Sequence, residues 1–247
     1  MDNFLTYEEI QLKCEKINQI YQVDEENFYR IVEKWAEADT TTENKLLASF
    51  TELLQVVNNE MAGIEQMVNM KPTCQLGCAF CCYFPIVINE MEAKLMCKAI
   101  QGFPEDRKTE LRDHFSHYYK KYGDKLKELT AIDFNADPNF KLSYKKANVP
   151  CVMLNTETNQ CMAYEIRPIP CRTYVNYTNP KVCEQNLMPK ETISFEFLYN
   201  EYIGALNEFL QFLYEEEDTA FIEYPNDVYT HDYLVNWFKK YSKEEIL

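Results

Sequence analysis

The sequence has 247 residues, of which 46% are hydrophobic and 14% aromatic, so it can fill one large core or two small ones without disulfide cross-links. Its formal net charge of −15 argues against non-specific binding to nucleic acid or to anionic membranes. Only five glycines occur, and none stands in the glycine-rich patterns with which Rossmann and P-loop folds hold phosphates. The composition therefore argues against nucleotide-dependent chemistry and against a Rossmann-type S-adenosylmethionine site.

The N-terminal sequence, MDNFLTYEEI, lacks the basic and apolar blocks of a secretory signal peptide. The longest apolar run, residues 78–88, is too short to span a bilayer and contains Pro85. We therefore expect a cytoplasmic protein with no membrane partner and no nucleic-acid partner. In a reducing cytoplasm, clustered cysteines indicate metal binding or catalysis more often than disulfides.

Residues 1–70 are predicted to be helical. Thr40 and Glu43 match the capping-box pattern of a helix start. The apolar residues that follow recur at helical spacing; they are Leu46, Leu47, Phe50, Leu53, Leu54, Val57, Met61, Ile64, Met67 and Val68. This helix is expected to end near Lys71 and Pro72, where the cysteines begin.

The central part of the chain predicts two further helices and a loop. Residues 86–100 have the pattern of an amphipathic helix. Pro104, followed by two acidic residues, predicts the start of the next helix, and Gly123 is placed to end it. Residues 131–149 contain Asn, Asp and Pro and are predicted to form a loop.

A short β-hairpin is predicted next, because residues 151–154 and 161–164 flank a polar turn, with one cysteine opening each strand. Residues 191–217 and 228–243 then return to helical periodicity and are rich in Phe, Leu and Tyr. The pattern predicts helices at the end of the chain as well as at its start.

The predicted fold class is mainly α, a helical domain with a central cysteine-rich metal-binding segment and a short β-hairpin. We divide the chain into an N-terminal helical segment (1–70), a metal-binding core (71–187) and C-terminal helices (188–247). The three parts are expected to pack as one domain.

Eight of the ten cysteines fall into two groups. The first group is Cys74, Cys78, Cys81 and Cys82. Thiolates are soft ligands that suit zinc and iron–sulfur clusters. In a helix these offsets share one face, whereas in a loop Gly77 would let the chain curl around a metal. The group is too dense for a set of buried hydrophobic residues, and the adjacent pair is poorly suited to a mutual disulfide, so metal binding is the favoured interpretation.

The second group is more widely spaced and has charged and aromatic neighbours. Its members are Cys151, Cys161, Cys171 and Cys183. Thiolates around a metal leave a net negative charge that is costly to bury unless cations offset it. We expect Arg167 and Arg172 to supply that positive charge, and Tyr164 and Tyr174 to donate hydrogen bonds to sulfur. The two remaining cysteines, Cys14 and Cys97, are expected to be core residues.

The order of residues in this region matches a known family. The matching pattern is Cys74-x₃-Cys78-x₂-Cys81-Cys82, then Pro150-Cys151-x₂-Leu154, then Cys161-x₂-Tyr164-Glu165-x-Arg167-Pro168-x₂-Cys171-Arg172-x-Tyr174. It resembles, over residues 71–185, the bacterial cysteine-cluster family named for zinc or iron chelation. The resemblance implies that the eight cysteines form the chelating site. The pattern is also distantly similar to flagellin lysine N-methylases, which implies an iron–sulfur cluster and methyl transfer to protein lysines.

The spacing bears on which metal is bound. The first three cysteines, with Phe80 before Cys81, match C-x₃-C-x-Φ-C, the triad that binds a [4Fe–4S] cluster in radical S-adenosylmethionine enzymes. Structural zinc sites usually come as two short cysteine pairs, and the second group contains none. Neither the β/α barrel nor the glycine-rich cofactor contacts of that enzyme class are predicted here. We therefore favour an iron–sulfur cluster over zinc, without radical chemistry.

Three functions agree with the pattern. The first is a metal-binding protein, and the second is an iron–sulfur-dependent protein lysine N-methylase, the only one that would need S-adenosylmethionine. The third is a protein-interaction module with a purely structural zinc, whose helices bind a protein partner. No catalytic residue is identified. Eight thiolates exceed the four that one four-coordinate site needs, so either two centres exist or some cysteines are not ligands.

Overall fold

The computed structural model describes residues 4–243. Its α-helices are α1 (Tyr7–Ile20), α2 (Glu26–Ala36), α3 (Thr42–Met67), α4 (Glu90–Gln101), α5 (Glu105–Leu129), α6 (Phe140–Ala147), α7 (Ile169–Thr173), α8 (Lys181–Gln185), α9 (Phe197–Glu215), α10 (Asn226–Tyr229) and α11 (Leu234–Lys243). Two short 3₁₀ helices span Phe80–Tyr83 and Tyr164–Ile166. The strands are β1 (Val87–Asn89), β2 (Leu154–Asn155), β3 (Gln160–Cys161), β4 (Tyr174–Asn176), β5 (Thr192–Ser194) and β6 (His231–Tyr233).

These strands form three two-stranded antiparallel ribbons, β1 with β6, β2 with β3 and β4 with β5. The predicted mainly α fold is therefore confirmed. Within residues 4–243, none of the helices combines the length and the apolar character that crossing a bilayer requires.

The chain divides into two compact units, and each is interrupted in sequence. The first unit comprises Met1–Gln75 and Pro168–Tyr224. The second unit comprises Leu76–Arg167 and Pro225–Leu247. The segment boundaries proposed from the sequence, after residues 70 and 187, stay a prediction.

The first unit is built on the mutual packing of α2, α3 and α9. The apolar stripe of α3 is buried from Leu46 to Ile64, and α9 buries Phe209 and Leu210 against it. Helical periodicity identified both stripes because apolar residues three and four apart share one face. The helix α3 begins one residue later than predicted, since Thr41 rather than Thr40 caps it by accepting a hydrogen bond from the backbone N–H of Asn44 at 3.3 Å.

The second unit packs α4 and α11 against each other, with α11 also contacting α5. Its core includes the fully buried side chains of Met91 on α4 and Phe238 on α11. The ribbon of β1 and β6 sits beside them, with Ile88 opposite Asp232 in register. The indole N–H of Trp237 donates to the carbonyl of Ile88 at 3.2 Å, which ties α11 to this ribbon.

Gly123 does not end a helix, as the sequence predicted, but lies inside α5. A glycine in a helix interior costs only about 1 kcal/mol relative to alanine, so one apolar face can override it. Tyr118 and Leu126 lie on that face and are buried on either side of the glycine. The long helix is therefore stabilised by packing rather than by local propensity.

The predicted loop over residues 131–149 contains the two-turn helix α6. A helix this short is not stable by itself, so its formation depends on tertiary contacts. Tyr144 supplies one, because it is buried with its ring stacked on Tyr233 at 6.1 Å between centroids. Asn148 ends the helix in the left-handed conformation, with φ of 52°.

Three predicted helical segments contain a short strand ahead of their main helix. Strand β1 precedes α4, β5 precedes α9 and β6 precedes α11. Each strand has three residues, and its partner is distant in sequence, so no local pattern marks it. The predicted hairpin does form, but Cys151 lies before β2 and Cys161 closes β3 rather than opening it.

Candidate metal centre

The eight predicted cysteine ligands are shared between the two units. The second unit contains Cys78, Cys81, Cys82, Cys151 and Cys161, and the first contains Cys74, Cys171 and Cys183. Within residues 4–243, no set of three or more His, Cys, Asp or Glu side chains is arranged to hold a metal ion. A ligand set drawn from these cysteines therefore stays a prediction.

A tight turn carries the cysteines of the first sequence group that belong to the second unit. Gly77 has φ of 88°, a left-handed conformation that favours glycine and reverses the chain just ahead of Cys78. The 3₁₀ helix Phe80–Tyr83 follows, in which the N–H of Cys82 donates to Ala79 at 3.0 Å. The adjacent residues Cys81 and Cys82 therefore lie in a segment whose backbone is held by its own hydrogen bonds.

The segment around Cys151 is bonded to this turn. The backbone N–H of Cys151 donates to the carbonyl of Cys82 at 2.6 Å. On either side, the buried Tyr118 hydroxyl donates to Pro150 at 2.6 Å, and a His114 ring nitrogen lies 2.8 Å from the carbonyl of Val152. Helix α5 therefore supports the cysteine segment through both of the residues that flank Cys151.

The hairpin brings Cys161 into the same region of the chain. Cys161 pairs with Leu154, and the N–H of Met162 donates to Met153 at 2.8 Å. Arg107 of α5 fixes the strand end, because its guanidinium donates to the Met162 carbonyl at 2.6 Å and to Glu165 at 2.9 Å. No sequence pattern marked Arg107, because its acidic neighbours at the start of α5 gave no sign of this contact.

Positive charge lies close to Cys81. A side-chain hydrogen bond from Cys82 is the largest cause that lowers the pKa of the Cys81 thiol to about 7, and the charges of Lys145 and Arg167 lower it further. Arg167 also lies with its guanidinium carbon 4.0 Å from the centre of the Tyr164 ring. Arg167 thus brings positive charge to the Cys81 thiol and lies on the ring face of Tyr164, and the roles of both residues at a metal stay predictions.

At Cys151 and Cys161, by contrast, burial of the thiol is the largest cause and raises its pKa. It raises the pKa of Cys151 to about 12, with the charge of Cys161 as the next cause. Burial also raises the pKa of Cys161, against which Arg167 and Arg107 act. Without a metal, these thiols are therefore held protonated, and a bound cation would have to displace their protons.

Lys145 is a second residue near the cysteines that no sequence pattern marked. It lies on α6 in the segment predicted to be a loop, and its side chain is buried. Its ammonium group donates a hydrogen bond to the carbonyl of Phe80, at the start of the 3₁₀ turn. No local signal separates Lys145 from its exposed neighbour Lys146, because packing of α6 decides which one is buried.

In the first unit, Cys74 is held by Asn176 at the end of β4. The backbone N–H of Asn176 donates to the Cys74 sulfur at 3.4 Å. The N–H and the hydroxyl of Thr73 both donate to the Asn176 carbonyl, at 2.9 and 3.1 Å. Backbone N–H groups that point at sulfur are the usual support of thiolate ligands.

The other two cysteines of the first unit lie on the short helices α7 and α8, at Cys171 and Cys183. Arg172 is buried beside the first of them and donates to the side chain of Asn58 on α3 at 3.0 Å. The hydroxyl of Tyr174 accepts a hydrogen bond from Thr192 at 2.8 Å. The roles of Arg172 and Tyr174 beside the cysteine sulfurs stay predictions.

The two cysteines outside the pattern differ in burial. Cys97 is fully buried on α4, as expected of a core residue. Cys14 on α1 is only partly buried. Burial raises the pKa of both thiols.

Residues 73–192 match the family model CxxCxxCC, described as "Putative zinc- or iron-chelating domain". The match confirms the resemblance found in the sequence over this part of the chain. No curated protein and no solved structure gives a significant match. The family supports a metal-binding role for the chain and leaves the choice between zinc and iron open.

The chemistry of the donor set in the second unit fits either metal. It offers five cysteine sulfurs, the ligand type that zinc and iron–sulfur clusters share. Lys145 and Arg167 supply positive charge to offset the thiolates. None of the contacts described above identifies a catalytic residue.

Proposed function

We propose that the chain is a metal-binding protein that holds an iron–sulfur cluster through cysteine thiolates of its second unit. The observation that carries the proposal is the hydrogen bond between the N–H of Cys151 and the carbonyl of Cys82. It joins two cysteine segments that are far apart in sequence. A metal site built from both segments would therefore need little further ordering of the backbone.

The charges near this bond support the same proposal. A thiolate, not a thiol, is the metal ligand, so a cysteine that ionises near neutral pH is prepared for binding. The lowered pKa of Cys81, about 7, meets that condition. The other thiols of the unit would lose their protons as the metal binds.

Iron–sulfur is preferred over zinc on the spacing of the cysteines. Cys78, Cys81 and Cys82 form one dense group, whereas Cys151 and Cys161 have nine residues between them and form no short pair. Structural zinc sites usually combine two short pairs. Zinc is the alternative metal in the same donor set.

Anaerobic purification followed by iron, zinc and acid-labile sulfide analysis tests the proposal. We expect a coloured protein that contains iron and sulfide in comparable amounts, with broad visible absorption. A colourless protein with one zinc per chain and no sulfide would rule out the iron–sulfur cluster and leave zinc chelation. A protein that binds neither metal after reconstitution would refute the proposed function.

A further inference from the structure

Lys145 is buried in the second unit, with only 7% of its surface exposed. Lysine is almost never buried to this extent unless its ammonium group is paired, because taking the charge out of water is costly. Its neighbour Lys146 on the same helix is exposed and shows the ordinary arrangement. The position of Lys145 therefore calls for a specific partner.

The side chain of Lys145 reaches both ends of the turn that carries Cys81 and Cys82. Its ammonium group donates to the carbonyl of Phe80, which forms the peptide bond with Cys81. The same group lies 4.2 Å from the centre of the Phe84 ring, directly after the turn. A cation over an aromatic face is attracted by the electron-rich face of the ring, and more strongly when the cation is removed from water.

The turn is bonded a second time at the carbonyl of Cys82, which accepts from Cys151. Lys145 and Cys151 belong to one short stretch of chain that leads from α6 to the hairpin. Two carbonyls of the turn, those of Phe80 and Cys82, are thus bound by donors from this stretch. Lys145 supplies the only one of these two bonds that also brings a full positive charge.

We propose that Lys145 is a positioning residue of the metal centre, which holds the Cys81–Cys82 turn in place and offsets the negative charge of the metal–thiolate group. The inference rests on the proposed function, since the charge has a role only if thiolates bind a metal there. Four thiolates around one Zn²⁺ leave a net charge of about −2, and a buried cation lowers the cost of that charge.

Four variants separate the contribution of the hydrogen bond, which holds the turn, from the contribution of the positive charge. Lys145→Met removes the charge and the donor, Lys145→Gln keeps an amide donor without the charge, and Lys145→Arg keeps both. Lys146→Met is the matched control on the exposed face of the same helix. Each is prepared metal-free and reduced, and its folding is checked by circular dichroism.

Two measurements are made on each variant. Hydrogen exchange of the amides in residues 78–84 reports the order of the turn without any metal. Zn²⁺ affinity, measured by competition with a chromophoric chelator, reports the metal centre. We expect Lys145→Met to exchange faster and to bind Zn²⁺ about 10- to 100-fold more weakly, Lys145→Gln to lose affinity with little change in exchange, and Lys145→Arg and Lys146→Met to resemble the wild type.

The outcomes are distinguishable from a failure of the proposed function. If the wild type binds no Zn²⁺ and no iron, the proposed function fails, while the exchange of Lys145→Met still tests whether the lysine orders the turn. If the wild type binds metal but Lys145→Met matches Lys146→Met in both measurements, the inference is wrong. If Lys145→Met fails to fold, Lys145→Gln is compared with the wild type. Equal Zn²⁺ affinity of these two proteins would exclude a role for the charge.

Discussion

The backbone N–H of Cys151 lies 2.6 Å from the carbonyl oxygen of Cys82, so the start of the hairpin segment is bonded to the turn that carries the adjacent cysteine pair. The bond uses backbone atoms only, so it is independent of the cysteine side chains. The sulfurs can therefore be replaced one at a time without removing it. This property makes cysteine substitutions informative in the second unit.

Replacing Cys151 with serine is predicted to remove metal while preserving the fold. Serine keeps the N–H that binds Cys82 and is similar in size, but its hydroxyl is a poor ligand for soft metals. We expect Cys78→Ser and Cys81→Ser to behave in the same way. Metal content per chain, measured after anaerobic reconstitution, checks the prediction.

The control for this series is Cys97→Ser. Cys97 is fully buried in the second unit and lies outside the cysteine pattern, so its replacement tests the cost of a buried hydroxyl alone. It is expected to lose stability and to keep its metal, and Cys14→Ser is also expected to keep metal. Full metal occupancy in both Cys151→Ser and Cys81→Ser would contradict the proposed ligands.

The reactivity of Cys81 is predicted to depend on pH in the metal-free protein. The thiolate is the nucleophile, so alkylation speeds up as pH rises through the thiol pKa and levels off above it. For Cys81 the half-maximal rate is expected near pH 7, because a side-chain hydrogen bond from Cys82 and the charges of Lys145 and Arg167 lower its pKa to about 7.

Iodoacetamide labelling followed by peptide mass spectrometry measures this profile. Cys14 is the internal comparison, because burial raises the pKa of its thiol and its labelling should require a higher pH. Lys145→Met is expected to move the Cys81 profile to higher pH. If Cys81 reached its half-maximal labelling rate at the same pH as Cys14 or at a higher one, the surrounding charges would not lower the pKa of the Cys81 thiol.

Two glycines of the second unit are predicted to respond in opposite directions to alanine. Gly77 has φ of 88°, so Gly77→Ala should lower the free energy of unfolding by about 1–2 kcal/mol. Gly123 lies inside α5 with no heavy atom within 4 Å of an added Cβ, so Gly123→Ala should raise it by about 0.5–1 kcal/mol. Urea unfolding of the metal-free variants measures both changes, and changes of the same sign would refute the assignment of one or both backbone conformations.

The buried pair of Arg172 and Asn58 is predicted to stabilise the first unit. Hydrogen bonds to charged groups contribute about 1.5–3 kcal/mol, and this one is 3.0 Å long with Arg172 buried. A double-mutant cycle with Arg172→Met and Asn58→Ala should give a coupling of about 1–2 kcal/mol. The exposed pair of Arg30 and Asn27, 2.7 Å apart, is the matched control and should couple by less than about 0.5 kcal/mol. Equal coupling energies in the two pairs would mean that burial of Arg172 does not strengthen its hydrogen bond to Asn58.

Helical periodicity predicted the long helices correctly because their apolar faces dominate their formation. The stripe that runs from Leu46 to Ile64 on α3 is one such face, and it is buried as expected. The periodicity failed where a distant partner decides the local structure. Strand β1 exists because it pairs with β6, and α6 exists because Tyr144 stacks on Tyr233.

The sequence by itself predicted the mainly α fold, the resemblance to the zinc- or iron-chelating family over residues 73–192 and the set of candidate ligands, because the type and the spacing of the cysteines follow directly from the order of the residues. The spacing could not show which cysteine segments meet, because that depends on backbone bonds such as the one between Cys151 and Cys82.

Tertiary structure alone decided which charged side chains accompany those cysteines. Lys145 is buried against the turn while Lys146 is exposed, although the two are adjacent and chemically identical. Arg172, which the sequence predicts to offset thiolate charge, donates a hydrogen bond to Asn58 on α3. The physical reason is that burial and hydrogen-bond partners depend on how the helices pack, and local sequence patterns do not predict that packing.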